Sequence, residues 1–169
     1  MINEGMQWAA LAVMAVLVLG LYRQLALFLG TDQTSLEQLS GPRLGRPAPA
    51  ALSDALAAVV GNPLSRTVVC FVSEGCSGCH RLLAQLADPA LVARLEQHGA
   101  RVLIVALAPS EQFANALSEL AVPHVADDGD VWRAVDVAAT PFVVTLDSRG
   151  TVTGKAIEHD IERVVAEAA

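Results

Sequence analysis

A chain of 169 residues holds one large domain, or one domain and an additional segment. The formal net charge of −7, with no basic patch to meet phosphates, excludes nucleic acid as a partner. Three cysteines, two of them in one motif, make no disulfide framework, so an ordinary hydrophobic core must hold the domain together.

Part of the apolar excess is local. Residues 5–22 carry no charge, and residues 8–21 are almost wholly apolar. As a helix, residues 5–22 rise roughly 27 Å, close to the hydrocarbon thickness of a bilayer. Arg23 can snorkel to the interface, with Trp8 and Tyr22 as aromatic markers at the two ends. Residues 1–7 offer no Lys or Arg and carry Glu4, and no small-x-small cleavage site follows. These features predict an uncleaved single-span anchor over residues 1–30 rather than a cleavable signal peptide. Residues 31–44 are polar and contain Gly41-Pro42, the composition of a tether.

From there the pattern is that of an α/β domain over residues 45–169. Ser53 reads as the N-cap of a short helix over residues 54–60, ended by Gly61-Asn62-Pro63. Residues 66–73 read as a strand, and the continuous apolar run within it is the habit of a central strand buried on both faces. The run breaks at Glu74-Gly75 and passes into a helical pattern over residues 79–87, with Leu82, Leu83 and Leu86 on one face. Asp88 and Pro89 supply an N-cap and a first-turn proline for the next helix, which ends at His98-Gly99. Residues 101–107 are a second buried strand, parallel to the first through a right-handed crossover. Ser110 caps a helix running to about Leu120, with Phe113, Ala116, Leu117 and Leu120 inward. Residues 122–125 make a short edge strand, residues 127–130 a turn, and residues 131–135 one or two helical turns. Thr140-Pro141 opens a hairpin with strands over residues 142–146 and 151–157, and a helix over residues 161–168 closes the chain.

The chemistry concentrates at the first strand–helix junction. A strand that feeds a helix across a tight turn puts Cys76 at the helix N-terminus, where unpaired N–H groups and the positive end of the dipole favour a thiolate. Cys79 lies one turn further in, within reach of a mixed disulfide on Cys76. Cys-x-x-Cys in this setting reads as a thiol–disulfide site that needs no cofactor. A structural zinc site would need four ligands, and only Cys70 and the scattered His80, His98, His124 and His159 remain. Cys70 is read as a small buried core residue, or as a third redox thiol beneath Cys79. Glu74 and His80 flank the motif as auxiliary candidates, for proton exchange and for stabilising a thiolate.

The order of these elements, with Phe71-Val72-Ser73-Glu74-Gly75-Cys76-Ser77-Gly78-Cys79 after the first buried strand and Thr140-Pro141 opening a late hairpin, resembles a thioredoxin fold. It is similar to the membrane-anchored thioredoxin-like thiol–disulfide oxidoreductases of the TlpA, ResA and MauD kind. Gly45-Arg46-Pro47-Ala48-Pro49, Asp128-Gly129-Asp130-Val131-Trp132 and Asp147-Ser148-Arg149-Gly150 match other landmarks. The resemblance implies a central mixed sheet flanked by helices and preceded by a single transmembrane helix. It implies Cys76 as the attacking thiol, Cys79 as the resolving thiol, and Pro141 as a cis-proline beside the active-site sulfur. Thr140 would then offer backbone groups to an extended substrate. Two departures stand out: Cys70 occupies the place of the buried aspartate of thioredoxins proper, and Ser77-Gly78 replaces their Gly-Pro.

The function implied is exchange of disulfides with protein thiols, served by a membrane or soluble redox partner, on a domain held to the lipid bilayer. The competing class is a non-catalytic or metal-handling module that assists assembly of a membrane or secreted complex. Arg23, Arg43 and Arg46 follow the span and none precedes it, which by charge bias draws the domain into the cytoplasm. Disulfide chemistry needs a tethered catalyst outside, where soluble reductants are lacking. The expectation is therefore a single-pass protein of the cell membrane with an extracytoplasmic redox domain.

Overall fold

The computed structural model describes residue 8, residues 13–21, residue 23, residues 41–59 and residues 66–167. The chain divides into two compact units, Met1–Leu36 and Glu37–Ala169. In the first, residues 13–21 are helical and their apolar side chains are exposed, Leu19 at 75%. Among the described residues no helix is long and apolar enough to cross a membrane. Residues 5–7, 9–12 and 22 of the expected span lie outside the described residues, as does the tether as far as residue 40.

The second unit is an α/β domain with the element order α1 (Ala50–Val59), β1 (Arg66–Val72), α2 (Ser77–Leu86), α3 (Pro89–Gln97), β2 (Ala100–Leu107), α4 (Glu111–Ser118), β3 (His124–Asp127), α5 (Asp130–Val135), β4 (Phe142–Leu146), β5 (Val152–Ala156) and α6 (Ile161–Glu167). One five-stranded sheet has the order β3-β2-β1-β4-β5. The β1–β2 and β2–β3 pairs are parallel, and the β1–β4 and β4–β5 pairs antiparallel.

β1 is the central strand because its β-branched and aromatic residues suit a pleated surface buried on both sides. Val68, Cys70 and Val72 face a core built with α2, α3, α4 and α6, whereas Val69 and Phe71 face a second core with Leu52, Val131 and Val135. Each such side chain withdrawn from water contributes about 1.5–3 kcal/mol. Phe71 stands opposite Phe142 on β4 and meets the edge of the Trp132 ring at a centroid distance of 5.9 Å.

Several local expectations shift by a few residues. α1 begins at Ala50, so Ser53 lies inside the helix rather than at its cap, and the Pro49 carbonyl accepts from the Leu52 and Ser53 amides at 3.0 Å each. The alanines here favour helix strongly, and Pro49 has the φ a helix start requires. The edge strand is His124–Asp127 rather than residues 122–125. Asp127 therefore ends a strand instead of opening a turn, and its buried carboxylate accepts from the Val131 amide at 3.1 Å and the Trp132 amide at 3.0 Å. The tether expected over residues 31–44 is joined to the domain at its end: the Gly41 amide donates to the Asp136 carbonyl at 2.9 Å. Gly41 has φ +78° and lies against the Phe142 ring, where a β-carbon does not fit. In the β4–β5 turn the amides of Thr151 and Arg149 hold the Asp147 carboxyl below the ordinary carboxylate range.

The helix caps follow the expected residues. Cys76, Asp88 and Ser110 cap α2, α3 and α4, each side chain accepting a backbone N–H of the first turn. One contact between distant segments locks α2 to the sheet. A β-carbon built on Gly78, in the first turn of α2, would stand 2.8 Å from Cδ of Pro141, just ahead of β4. A proline ring has no rotamer by which to withdraw. Gly78→Ala would gain up to about 1 kcal/mol of helix propensity and lose about 1–3 kcal/mol to overpacking. Denaturant unfolding of the oxidised domain should show a net loss for Gly78→Ala, and a change within about 0.5 kcal/mol for the exposed neighbour Ser77→Ala.

Cys70 places a titratable group inside the core. Burial pushes its thiol from the ordinary value of 9.0 up to about 12. Between those values the unfolded chain has lost the proton that the folded chain keeps, so stability falls as pH rises through this window. Denaturant midpoints measured across this alkaline range should fall less steeply for Cys70→Ala than for the parent, although the variant starts from a lower value at neutral pH.

Candidate active site

The β1–α2 turn delivers two sulfurs of unlike character. Cys76 is the N-cap of α2 and half-buried, and its Sγ accepts the Cys79 N–H at 3.0 Å. Cys79 is fully buried among Cys70, Leu82 and the rest of the first core. The two are joined in a disulfide, the oxidised form of the pair.

The antiparallel pairing of β1 with β4 sets Thr140 and Pro141 beside this turn. Pro141 is buried, and the Thr140–Pro141 peptide is cis. Thr140 Oγ1 lies 3.2 Å from Ser73 Oγ, linking the two segments across the mouth of the site. The point where a Gly78 β-carbon would stand is 3.8 Å from Cys76 Sγ as well as against Pro141, so the glycine brings ring and sulfur together.

The auxiliary candidates Glu74 and His80 are engaged with the elements around the turn. Glu74 is exposed, and its carboxylate accepts from Ser110 Oγ at 3.0 Å and from the Ser110 amide at 3.4 Å. Its carbonyl accepts from His80 Nε2 at 2.8 Å. His80 is exposed, and its ring stands edge-on to Phe113 with centroids 6.2 Å apart. Glu74 and His80 thus tie the β1–α2 turn to the start of α4 and to the first turn of α2. Ser110 reaches Glu74 because Ala108 turns the chain in left-handed backbone at φ 35°, its amide held by the Asp127 carbonyl at 2.8 Å.

Cys70 lies on the same face of β1 as the Cys79 core, opposite Ile104 and Val143. With its thiol raised to about 12 it stays protonated, and a thiol is a poor nucleophile. Its geometry is that of a packed core side chain. Among the described residues no group of three or more His, Cys, Asp or Glu stands where it could hold a metal ion. From the sequence, Ser73 and Gly78 are named only as parts of the motif, with no role of their own. Neither role carries a local signal, because each depends on a partner more than sixty residues away.

No family model matches the chain, and no curated protein matches it. Among solved structures it is similar to StoA from Bacillus subtilis, at 18% identity over 62% of this chain and 83% of that one, with a TM-score of 0.51. A secreted disulfide oxidoreductase of Mycobacterium tuberculosis, homologous to DsbE of E. coli, matches at 17% identity over 62% and 80% of the two chains, with a TM-score of 0.50. The thioredoxin domain of a thiol–disulfide oxidoreductase from Bacteroides vulgatus matches at 18% identity over 62% and 80%, with a TM-score of 0.50. At these identities the likeness is one of fold: the domain is thioredoxin-like, an α/β fold with a mixed central sheet flanked by helices, and it carries its Cys-x-x-Cys pair at disulfide distance.

Proposed function

We propose that this chain is a membrane-tethered thiol–disulfide oxidoreductase acting on protein thiols. The observation that carries the reading is the inequality of the two sulfurs: Cys76 is half-exposed at a helix N-cap with an amide aimed at it, and Cys79 is buried. A backbone N–H and the helix N-terminus stabilise a thiolate on Cys76, the N-terminal field alone by about 0.3–1 kcal/mol. In the oxidised form a client thiolate attacks Cys76 Sγ. The bond to Cys79 breaks, and Cys79 leaves as a thiolate that takes up a proton. A second client thiolate then attacks the client sulfur of the mixed disulfide, the client disulfide forms, and Cys76 leaves as the thiolate. The reverse sequence reduces a client disulfide, and a dithiol or disulfide partner resets the pair. Thr140 and Pro141 would form the wall against which the client backbone lies.

Turnover of a protein disulfide such as insulin, with dithiothreitol as reductant, tests the assignment. Cys76→Ser should lower the rate at least about 100-fold. Cys79→Ser should instead accumulate a mixed disulfide on Cys76, visible by non-reducing electrophoresis. Trapping on Cys79 in the Cys76→Ser protein, without trapping on Cys76 in the Cys79→Ser protein, would reverse the roles.

The membrane part of the reading rests on the uncharged run over residues 5–22 and on the exposed apolar side chains of residues 13–21. A helix apolar all round is at home in hydrocarbon rather than in water. We place the N-terminus in the cytoplasm and the redox domain on the outer face. Alkaline phosphatase fused after Ala169 should be active in cells. An inactive phosphatase fusion, with a fluorescent cytoplasmic reporter at the same position, would put the domain inside.

A further inference from the structure

A groove of about 410 Å³ opens between α2 and α4. Leu83, Phe113, Ala116 and Leu120 line it, and Glu74 and His80 stand at the end closest in the chain to Cys76. The polar groups at that end are already engaged with the protein: the Glu74 carboxylate with Ser110, and His80 Nε2 with the Glu74 carbonyl. Leu83 and Leu120 pack on the first core and remain only partly buried. Of the lining residues only Gln112 adds a further polar side chain, so what the groove offers an occupant is mainly apolar surface, where an unpaired charge is costly.

We infer that this groove receives a large apolar side chain of an extended client segment, two or three residues from the client cysteine that meets Cys76; the inference rests on the thiol–disulfide reading above. The register of α2 carries it. Cys76, His80 and Leu83 follow the i, i+4, i+7 spacing of one helix face. At about 1.5 Å of rise per residue, Leu83 lies about 10 Å along the axis from Cys76. An extended peptide advances about 3.3 Å per residue, so its second or third residue from the cysteine reaches the lining. Glu74 and His80, which border the groove, stand two residues before and four residues after Cys76, whose sulfur the client must meet. Its volume is at the low end of the about 300–1,000 Å³ common for ligand sites, which suits a side chain better than a cofactor. A second copy of this chain would need about 800 Å² of surface on each partner, far more than one such groove supplies.

Peptides linked to glutathione through a single cysteine, with Phe or Ser two and three residues to either side, give the test on the full chain. The Phe peptides should be reduced with kcat/KM about 10–200-fold above the Ser peptides. Ala116→Glu, which sets a charge in the lining, and Ala116→Trp, which fills the groove, should erase most of that ratio, with the loss falling on KM. Equal kcat/KM for the Phe and Ser peptides in the unmodified chain overturns the inference. So does a dimer in sedimentation that Ala116→Glu converts to a monomer, since the groove would then be a contact between copies. Turnover of the small neutral 2-hydroxyethyl disulfide by the unmodified chain reads the parent assignment separately. If that turnover is absent, calorimetric binding of the Phe and Ser peptides with their cysteine replaced by serine still decides the groove: tighter binding of the Phe peptide sustains it, and equal binding sinks it.

Discussion

The antiparallel pairing of β1 with β4 is the constraint on which the site depends. β1 ends at Val72 and β4 begins at Phe142, and with Phe71 opposite Phe142 these two ends share one edge of the sheet. Whatever follows β1 must therefore lie beside whatever precedes β4. The segment that follows carries Cys76, and the segment that precedes carries Thr140 and Pro141. A shift of the register by one residue would turn Phe71 and Val69 out of their core and move the two segments apart. Hydrophobic burial on both faces of β1 thus fixes where the redox pair sits.

On that frame the chain makes two cysteines unequal through solvation and backbone geometry alone. Two residues separate Cys76 from Cys79, yet one sulfur stands at the helix entrance and the other lies inside the core. Glu74, Ser110 and His80 extend the same frame sideways, fastening the turn that holds Cys76 to α4. The third cysteine shows how much position matters: Cys70 shares the core of Cys79, but with no amide or helix end aimed at it, burial alone governs its thiol.

The buried strands are legible in the sequence because a continuous apolar run leaves few alternatives, and the helix starts at Cys76, Asp88 and Ser110 are legible because a side-chain cap is a local interaction. The Cys-x-x-Cys pair and Thr140-Pro141 are legible as motifs. α1 is misread at its start because alanine forms helix without announcing where, while Ser53 suggests a cap that the helix does not use. β3 is displaced by two residues because Pro123 obscures the beginning of an edge strand, and Asp127 looks like a turn residue until its carboxylate meets the amides of α5. The link between Glu74 and Ser110 and the packing of Gly78 on Pro141 belong to the tertiary structure, and no spacing along the chain encodes them.

The closeness of Gly78 to Pro141 has a bearing on how such a protein could be altered. The two residues between redox cysteines are the natural place to look for variation in the ease with which a disulfide opens, since they border both sulfurs. Here they are not equivalent. Ser77 is exposed and can be exchanged for charged or bulky residues at little structural cost, whereas the space beside residue 78 is already filled by the proline ring. Diversification of this dithiol is confined to a single adjustable position, and residue 78 can change only together with the segment that lies over it.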